Sequence, residues 1–323
     1  MEERTSLLPG DSPTAQGGTR LRSRAFRGRR ALIMATCAAL LAVALPVGVH
    51  SAAQARSTSA VRSGSTTKKP APAGAAAPPA GTPAPGAAGA IDAELDAKIN
   101  GIIDANDEYQ IGVALLDLSD SANAGQEVHQ YGVEDPFEAA STAKVLAAEA
   151  YYHLVETGAA SLTEPLGAYP AAFQLQAMIQ QSDNDSWSLI MDAVGHKELT
   201  DYAASLGVQY NPESNTLTPA DMARILAGLY SGRLLDAANT KQLLATMQDT
   251  NDETLIPAAV PAGVTVFHKY GLLGGELHDA GILAKDGHAY ALVVYTKGED
   301  LSSVPERTDI IHQVTGAVAD ALF

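Results

Sequence analysis

The sequence has 323 residues, 46% of them hydrophobic, and a formal net charge of −16, which excludes a chain disordered throughout because so large an apolar share can build a core. The charge is unevenly placed: residues before Ile91 carry 11 Lys and Arg against 3 Asp and Glu, and those from Ile91 onward carry 10 against 34. A net −24 on the larger part repels phosphate backbones and excludes nucleic acid as its partner, while the single cysteine, Cys37, allows neither an internal disulfide nor a cysteine-built metal site.

Residues 1–30 form a basic tail ending in Arg20, Arg22, Arg24, Arg27, Arg29 and Arg30. They precede 19 residues without a charge, Ala31 to Val49. A positive flank followed by an apolar run predicts export. The length suits a transmembrane anchor with its amino terminus in the cytoplasm. Ala53-Gln54-Ala55 is an Ala-x-Ala site, so a signal peptide cleaved after Ala55 is the other possibility. The downstream part is then extracytoplasmic at the cell membrane, or secreted. Residues 50–90 are dominated by Ala, Pro, Gly, Ser and Thr, cannot repay the entropy of folding, and read as a disordered tether.

The folded domain is expected over residues 91–323. Leu95, Ile99, Ile102 and Ile103 recur at helical spacing within Ile91–Ala105. Ile111–Leu118 and Glu127–Tyr131 flank a polar turn and predict a hairpin. The stretch Thr142–Met247 is rich in Ala and Leu and poor in β-branched runs, which predicts helices. Strands return at Val264–Lys269, Asp279–Lys285 and His288–Tyr295, the last two joined by the two-residue turn Asp286-Gly287. An amphipathic helix, Glu306–Leu322, closes the chain. The fold class is therefore α+β: an antiparallel five-stranded sheet flanked by helices, with an all-helical subdomain inserted.

Three short motifs follow in order: Ser141-Thr-Ala-Lys144, Ser182-Asp-Asn184 and Lys269-Tyr-Gly271. None is specific alone. Ser65-Thr-Thr-Lys68, Ser121-Ala-Asn123 and Lys285-Asp-Gly287 imitate them, but in a tether, a turn and a hairpin. Context separates the sets. Ser141 precedes a helix predicted over Ala143–Glu156, so its hydroxyl sits at a helix amino terminus with Lys144 one turn further on the same face. A serine hydroxyl needs an adjacent base, and a lysine serves if burial and nearby positive charge depress its pKa. The helix terminus also favours an oxyanion. Ser182-Asp-Asn184 lies between the predicted helix Ala171–Gln181 and one starting at Trp187, a loop tip able to face a cleft. Lys269-Tyr-Gly271 ends a predicted strand.

The set resembles the serine β-lactamase and penicillin-binding protein superfamily, whose signatures are Ser-x-x-Lys, Ser-Asp-Asn and Lys-Thr-Gly. Gly195-His-Lys-Glu-Leu199 and Leu217-Thr-Pro-Ala-Asp-Met222 resemble helix starts of class A enzymes. The resemblance implies a β-lactamase-like fold over Ile91–Phe323 and an acyl-enzyme at Ser141 with a β-lactam or cell-wall peptide, without a metal or cofactor. It implies that Lys144, Ser182 and Lys269 join Ser141 in catalysis. Asn184, Tyr270, Gly271 and Leu272 would bind substrate, Leu272 giving the second oxyanion N–H beside that of Ser141. His278 and Asp279 read as a polar pair fixing the start of a strand.

Two departures stand out. Between Leu206 and Thr218 the chain lacks the omega-loop Glu-x-x-Leu-Asn whose glutamate deacylates in the family, and Glu213 is a poor substitute. Tyr270 replaces a threonine whose hydroxyl binds substrate carboxylate. The first predicts slow deacylation and the second weaker acylation by substrates that carry a carboxylate, and together they leave a catalytically weak cell-wall binding module as the alternative function.

Overall fold

A computed structural model of the protein describes residues 91–119 and 127–323. The basic tail, the apolar run 31–49 and the linker 50–90 lie outside these residues. Among the described residues no helix is long and apolar enough to cross a membrane.

Asp92 accepts from the backbone N–H groups of Glu94 and Leu95 and so caps α1 (Ala93–Asp104). Next come β1 (Gln110–Asp117), β2 (His129–Gly132) and the short β3 (Phe137–Glu138). A 3-10 turn over Ala140–Ala143 leads into α2 (Lys144–Glu156). The helical region then holds the two-residue strands β4 (Pro165–Leu166) and β5 (Tyr169–Pro170), then α3 (Ala171–Gln180), α4 (Asn184–Val194) and α5 (His196–Ser205). It continues through β6 (Thr216–Leu217), α6 (Pro219–Tyr230), α7 (Ala237–Thr246) and α8 (Ile256–Ala259). Finally β7 (Thr265–Leu273), β8 (Glu276–Lys285) and β9 (His288–Lys297) precede α9 (Val304–Leu322).

The five long strands form one antiparallel sheet in the order β2-β1-β9-β8-β7. This is the expected α+β architecture. Its central strands are apolar on both faces because both faces are covered. From β9, Ala291, Val293 and Tyr295 enter the core shared with the helical region, while Tyr290, Leu292 and Val294 meet α1 and α9 on the other side.

Two boundaries differ from expectation. Strand β7 continues past Gly271 to Leu273, and β8 begins at Glu276, so the turn between them falls at Gly274-Gly275. Lys269-Tyr-Gly271 is thus interior to a strand. Its pairing with Ala280, Asp279 and His278 carries the ladder on. Arg307, wholly buried on α9, donates from Nη1 to Gly275 O and from Nη2 to Asp300 O (3.0 Å), which ties the end of this hairpin to the helix.

Candidate active site

Ser141 lies inside the 3-10 turn rather than at the first turn of an α-helix. In 3-10 geometry residues three apart eclipse, which puts Ser141 and Lys144 on one side more tightly than an α-helix would. The residue before it, Ala140, has φ +47°, a conformation worth about 1–3 kcal/mol of strain for a non-glycine residue. The surroundings hold it there. Asn215 Nδ2 donates to Ala140 O at 2.9 Å, and Ala139 N donates to Asn215 O at 2.7 Å. Thr142 Oγ1 lies 2.7 Å from Ala139 O and 2.6 Å from the hydroxyl of Tyr295.

His278 supports the same turn from below. Thr296 N–H donates to its Nδ1 at 3.1 Å, which places the ring proton on Nε2, and Nε2–H donates to Glu138 O at 2.9 Å. Burial pushes this imidazole down to about 4, against the smaller upward pull of its hydrogen bonds. It is neutral, and it stacks on Tyr295 with ring centroids 4.1 Å apart.

Lys144 is buried, and its Nζ donates to Ser182 O at 2.7 Å and to Asn184 Oδ1 at 2.8 Å. Burial brings its ammonium down to about 8, opposed by the carboxylate of Asp183. Asp183 is the N-cap of α4, accepting from Ser186 N at 2.7 Å, so the expected helix start at Trp187 moves back to Asn184. Ser182 has φ +54°, which turns the chain sharply between α3 and α4 and exposes its two oxygens to the two lysines.

The second lysine, Lys269, has 0% exposure. Its Nζ donates to Ser182 Oγ and to Tyr270 O, both at 3.0 Å. Burial and the nearby Lys144 charge lower it to about 7. Ser182 therefore receives one lysine on its carbonyl and the other on its hydroxyl, and the two ammonium groups disfavour each other.

A Cβ placed on Gly271 would stand 3.1 Å from Ala139 O, Ala140 Cβ and Ser141 N. Glycine lets β7 pack this closely on the turn that bears Ser141. Leu272 and Leu273, the next two residues, are exposed at 43% and 50%.

The Tyr270 ring lies over Lys269 Nζ, 4.0 Å from it, and the tyrosine hydroxyl donates to Asn251 Oδ1 at 3.1 Å. Asn251 gave no signal in the sequence. It belongs to the segment between α7 and α8, whose Asn251 N donates to Gln180 O at 2.9 Å and Nδ2 to Gln181 O at 3.0 Å, while His268 N donates to Met247 O at 2.8 Å. That segment straps the Ser182 turn to β7.

His278 and Asp279 are not the pair expected at a strand start. Both lie inside β8 and, as neighbours in a strand, point to opposite faces. Asp279 binds His268, with Nδ1 2.9 and 3.0 Å from its two oxygens, and also accepts from Ile256 N at 3.0 Å. His268 Nε2 meets Thr250 Oγ1 at 3.1 Å and Glu253 Oε1 at 3.3 Å. Burial alone would lower the His268 pKa, but the Asp279 and Glu253 carboxylates outweigh it and raise it.

The sequence model of the family described as "Beta-lactamase enzyme family" matches residues 94–322. Among solved structures, that of PBP-A superposes with a TM-score of 0.64 at 25% identity, covering 71% of this chain and 96% of that one. A mutant of PBP-A, solved as an acyl-enzyme complex with penicillin G, gives 0.62 at 26% identity and the same coverage. A β-lactamase from Xanthomonas campestris pv. campestris, at 24% identity, shares the fold with a TM-score of 0.63 over 71% of this chain and 97% of its own.

Proposed function

Since the chain belongs to the β-lactamase enzyme family, we propose that it is an exported serine hydrolase that forms an acyl-enzyme at Ser141 with a β-lactam or a peptidoglycan-like peptide. The observation that carries this reading is the Lys144–Ser182–Lys269 arrangement: two buried lysines hydrogen-bonded to one serine, beside the turn that bears Ser141.

In this reading neutral Lys144 takes the proton of Ser141 as Oγ attacks the carbonyl carbon. The backbone N–H groups of Ser141 and Leu272 stabilise the oxyanion. When the C–N bond breaks, the Ser182 hydroxyl gives its proton to the leaving nitrogen and Lys269 restores it. Asn184, held by Lys144, aligns the substrate's amide side chain. Residues 31–49 would export the domain, as anchor or signal, and residues 50–90 would tether it.

Intact mass of the full-length protein incubated with a penicillin-type probe tests the proposal. One adduct on Ser141, abolished by Ser141→Ala, supports it. An unmodified mass after prolonged exposure to several β-lactams and activated esters would leave the alternative, a cell-wall binding module with little chemistry.

A further inference from the structure

We infer that Tyr270 is a positioning residue: its ring face keeps on Lys269 the one proton that the two buried lysines share, which leaves Lys144 as the neutral base and Lys269 as the acid that resupplies Ser182. This rests on Ser141 being the nucleophile and gives Tyr270 a task in the chain's own proton traffic.

The two lysines differ in how many acceptors surround them. Among the described residues Lys144 Nζ donates to Ser182 O at 2.7 Å and to Asn184 Oδ1 at 2.8 Å. A neutral amine has two N–H groups and a lone pair, so these two oxygens satisfy a neutral Lys144 and leave its lone pair for a proton. Lys269 Nζ meets Ser182 Oγ and Tyr270 O, both at 3.0 Å, and in addition the face of the Tyr270 ring, whose centre is 4.0 Å away. Two oxygens and one π face match the three N–H groups of an ammonium. A ring face attracts a cation most where water is excluded, and Lys269 is fully buried.

That attraction has something to oppose. Burial and the charge of Lys144 press Lys269 to give up its proton, and the carboxylates of Asp279 and Asp252 act against them. The ring adds its pull at Nζ itself. It is fixed from the same turn that carries Ser182: Tyr270 Oη donates to Asn251 Oδ1 at 3.1 Å, while Asn251 donates from Nδ2 to Gln181 O at 3.0 Å and from N to Gln180 O at 2.9 Å. A threonine at this position has no π face to offer.

In acylation Ser141 Oγ bonds to the carbonyl carbon and its proton passes to Lys144. As the bond to the leaving atom breaks, that atom takes the proton of the Ser182 hydroxyl, and Ser182 takes one from Lys269. Lys144 ends charged and Lys269 neutral, so the pair keeps its single charge and no further reactant enters.

Two aryl esters with one acyl group, p-nitrophenyl acetate and p-methoxyphenyl acetate, test this on the full-length chain, because the second has the leaving oxygen that needs a proton. The readout is the second-order rate of phenol release from about pH 6 to 10, with the acetyl adduct located at Ser141 by mass. In the wild type the p-methoxyphenyl rate should rise as Lys144 becomes neutral and fall again as Lys269 does, whereas the p-nitrophenyl rate should show the rise alone. Taking away the ring withdraws support from the charged form of Lys269. Tyr270→Leu should therefore slow p-methoxyphenyl acetate about tenfold, leave p-nitrophenyl acetate within about twofold, and move the fall to lower pH by about one unit. Tyr270→Phe keeps the ring and should keep the wild-type profile.

Equal slowing of both esters by Tyr270→Leu, no change in either, or a Tyr270→Phe profile like that of Tyr270→Leu would each overturn the inference while leaving the acyl-enzyme intact. Absence of phenol release and of any Ser141 adduct would instead overturn the acyl-enzyme reading, and this inference with it. Should Tyr270→Leu fail to fold, a wild-type p-methoxyphenyl profile without the fall, or a fall displaced in Tyr270→Phe, would still overturn it.

Discussion

The side-chain amide of Asn215 donates to the carbonyl of Ala140 at 2.9 Å. The short segment before α6 is therefore occupied with holding the turn that bears Ser141, and its one glutamate, Glu213, is exposed. The acyl-enzyme should in consequence be long-lived, because a positioned base contributes about 10²- to 10⁴-fold to such a step. Mass spectrometry over hours should show the penicillin adduct persisting. Turnover of nitrocefin at tens per second would contradict this.

Acylation should depend on pH through the paired lysines. Lys269 and Lys144 are lowered to about 7 and about 8, and groups so close titrate as a unit. The base must be neutral, so the rate rises with pH across roughly 7 to 8 as the coupled pair deprotonates and Lys144 becomes neutral. Asp183→Asn retains a capping side chain but removes the carboxylate that raises Lys144, and should move the rise to lower pH. A stopped-flow profile flat between pH 6 and 9 would rule out a lysine base.

Glu149 is fully buried in α2, neither carboxylate oxygen has a hydrogen-bond partner among the described residues, and burial raises its pKa well above 4.5. A carboxyl raised on folding stabilises fully only below its unfolded value, and that contribution is lost as pH climbs through the folded value, at about 1.4 kcal/mol per pH unit in between. Glu149→Leu should therefore raise the melting temperature more at pH 8 than at pH 5. Calorimetry at both would show it, and an equal gain at the two would argue against a buried, protonated Glu149.

The buried pair of His268 and Asp279 should be costly to break. Asp279→Asn removes one partner and should destabilise by about 3–5 kcal/mol. His268 is raised above 6.5, so its contribution is complete below that pH and fades as pH rises through the folded value. Denaturant unfolding should accordingly find a larger loss in Asp279→Asn at pH 6 than at pH 9. A loss independent of pH would mean that the imidazole is neutral throughout.

Much of this site is visible in the sequence because its residues sit at spacings that local structure fixes. Ser141 and Lys144 are three apart on one turn, Asp183 is a capping residue before an amphipathic run, and Lys269 follows the β-branched and aromatic start of β7, Thr265–His268. What the sequence hides depends on contacts between distant segments. Asn251 meets Tyr270 only because the α7–α8 segment is strapped to α3, and no pattern near Asn251 announces it. The extension of β7 past Gly271 is decided by β8 alongside it, whose His278 and Leu277 pair with Gly271 and Leu272. Asn215, at φ +50°, carried a faint signal, since asparagine tolerates that backbone better than most residues. Glu149 carried a stronger one, a charge amid the apolar run Val145–Tyr152.

The strand order has a consequence for how the chain comes to be folded. Strand β1 lies between β2 and β9, with Gln110 facing Lys297. During synthesis the apolar stretch Ile111–Leu116 thus waits beside its hairpin partner, with one edge open, until nearly the whole chain has emerged. Closing so distant a pairing is slow, and the open edge is a template for aggregation. The site shares this lateness, since Lys269 is made long after Ser141 and both lysines keep ordinary charged ammonium groups until the sheet closes around them. Under the proposed mechanism a nascent or unfolded chain accordingly carries an unreactive serine, and Ser141 gains its base only when the last strands arrive.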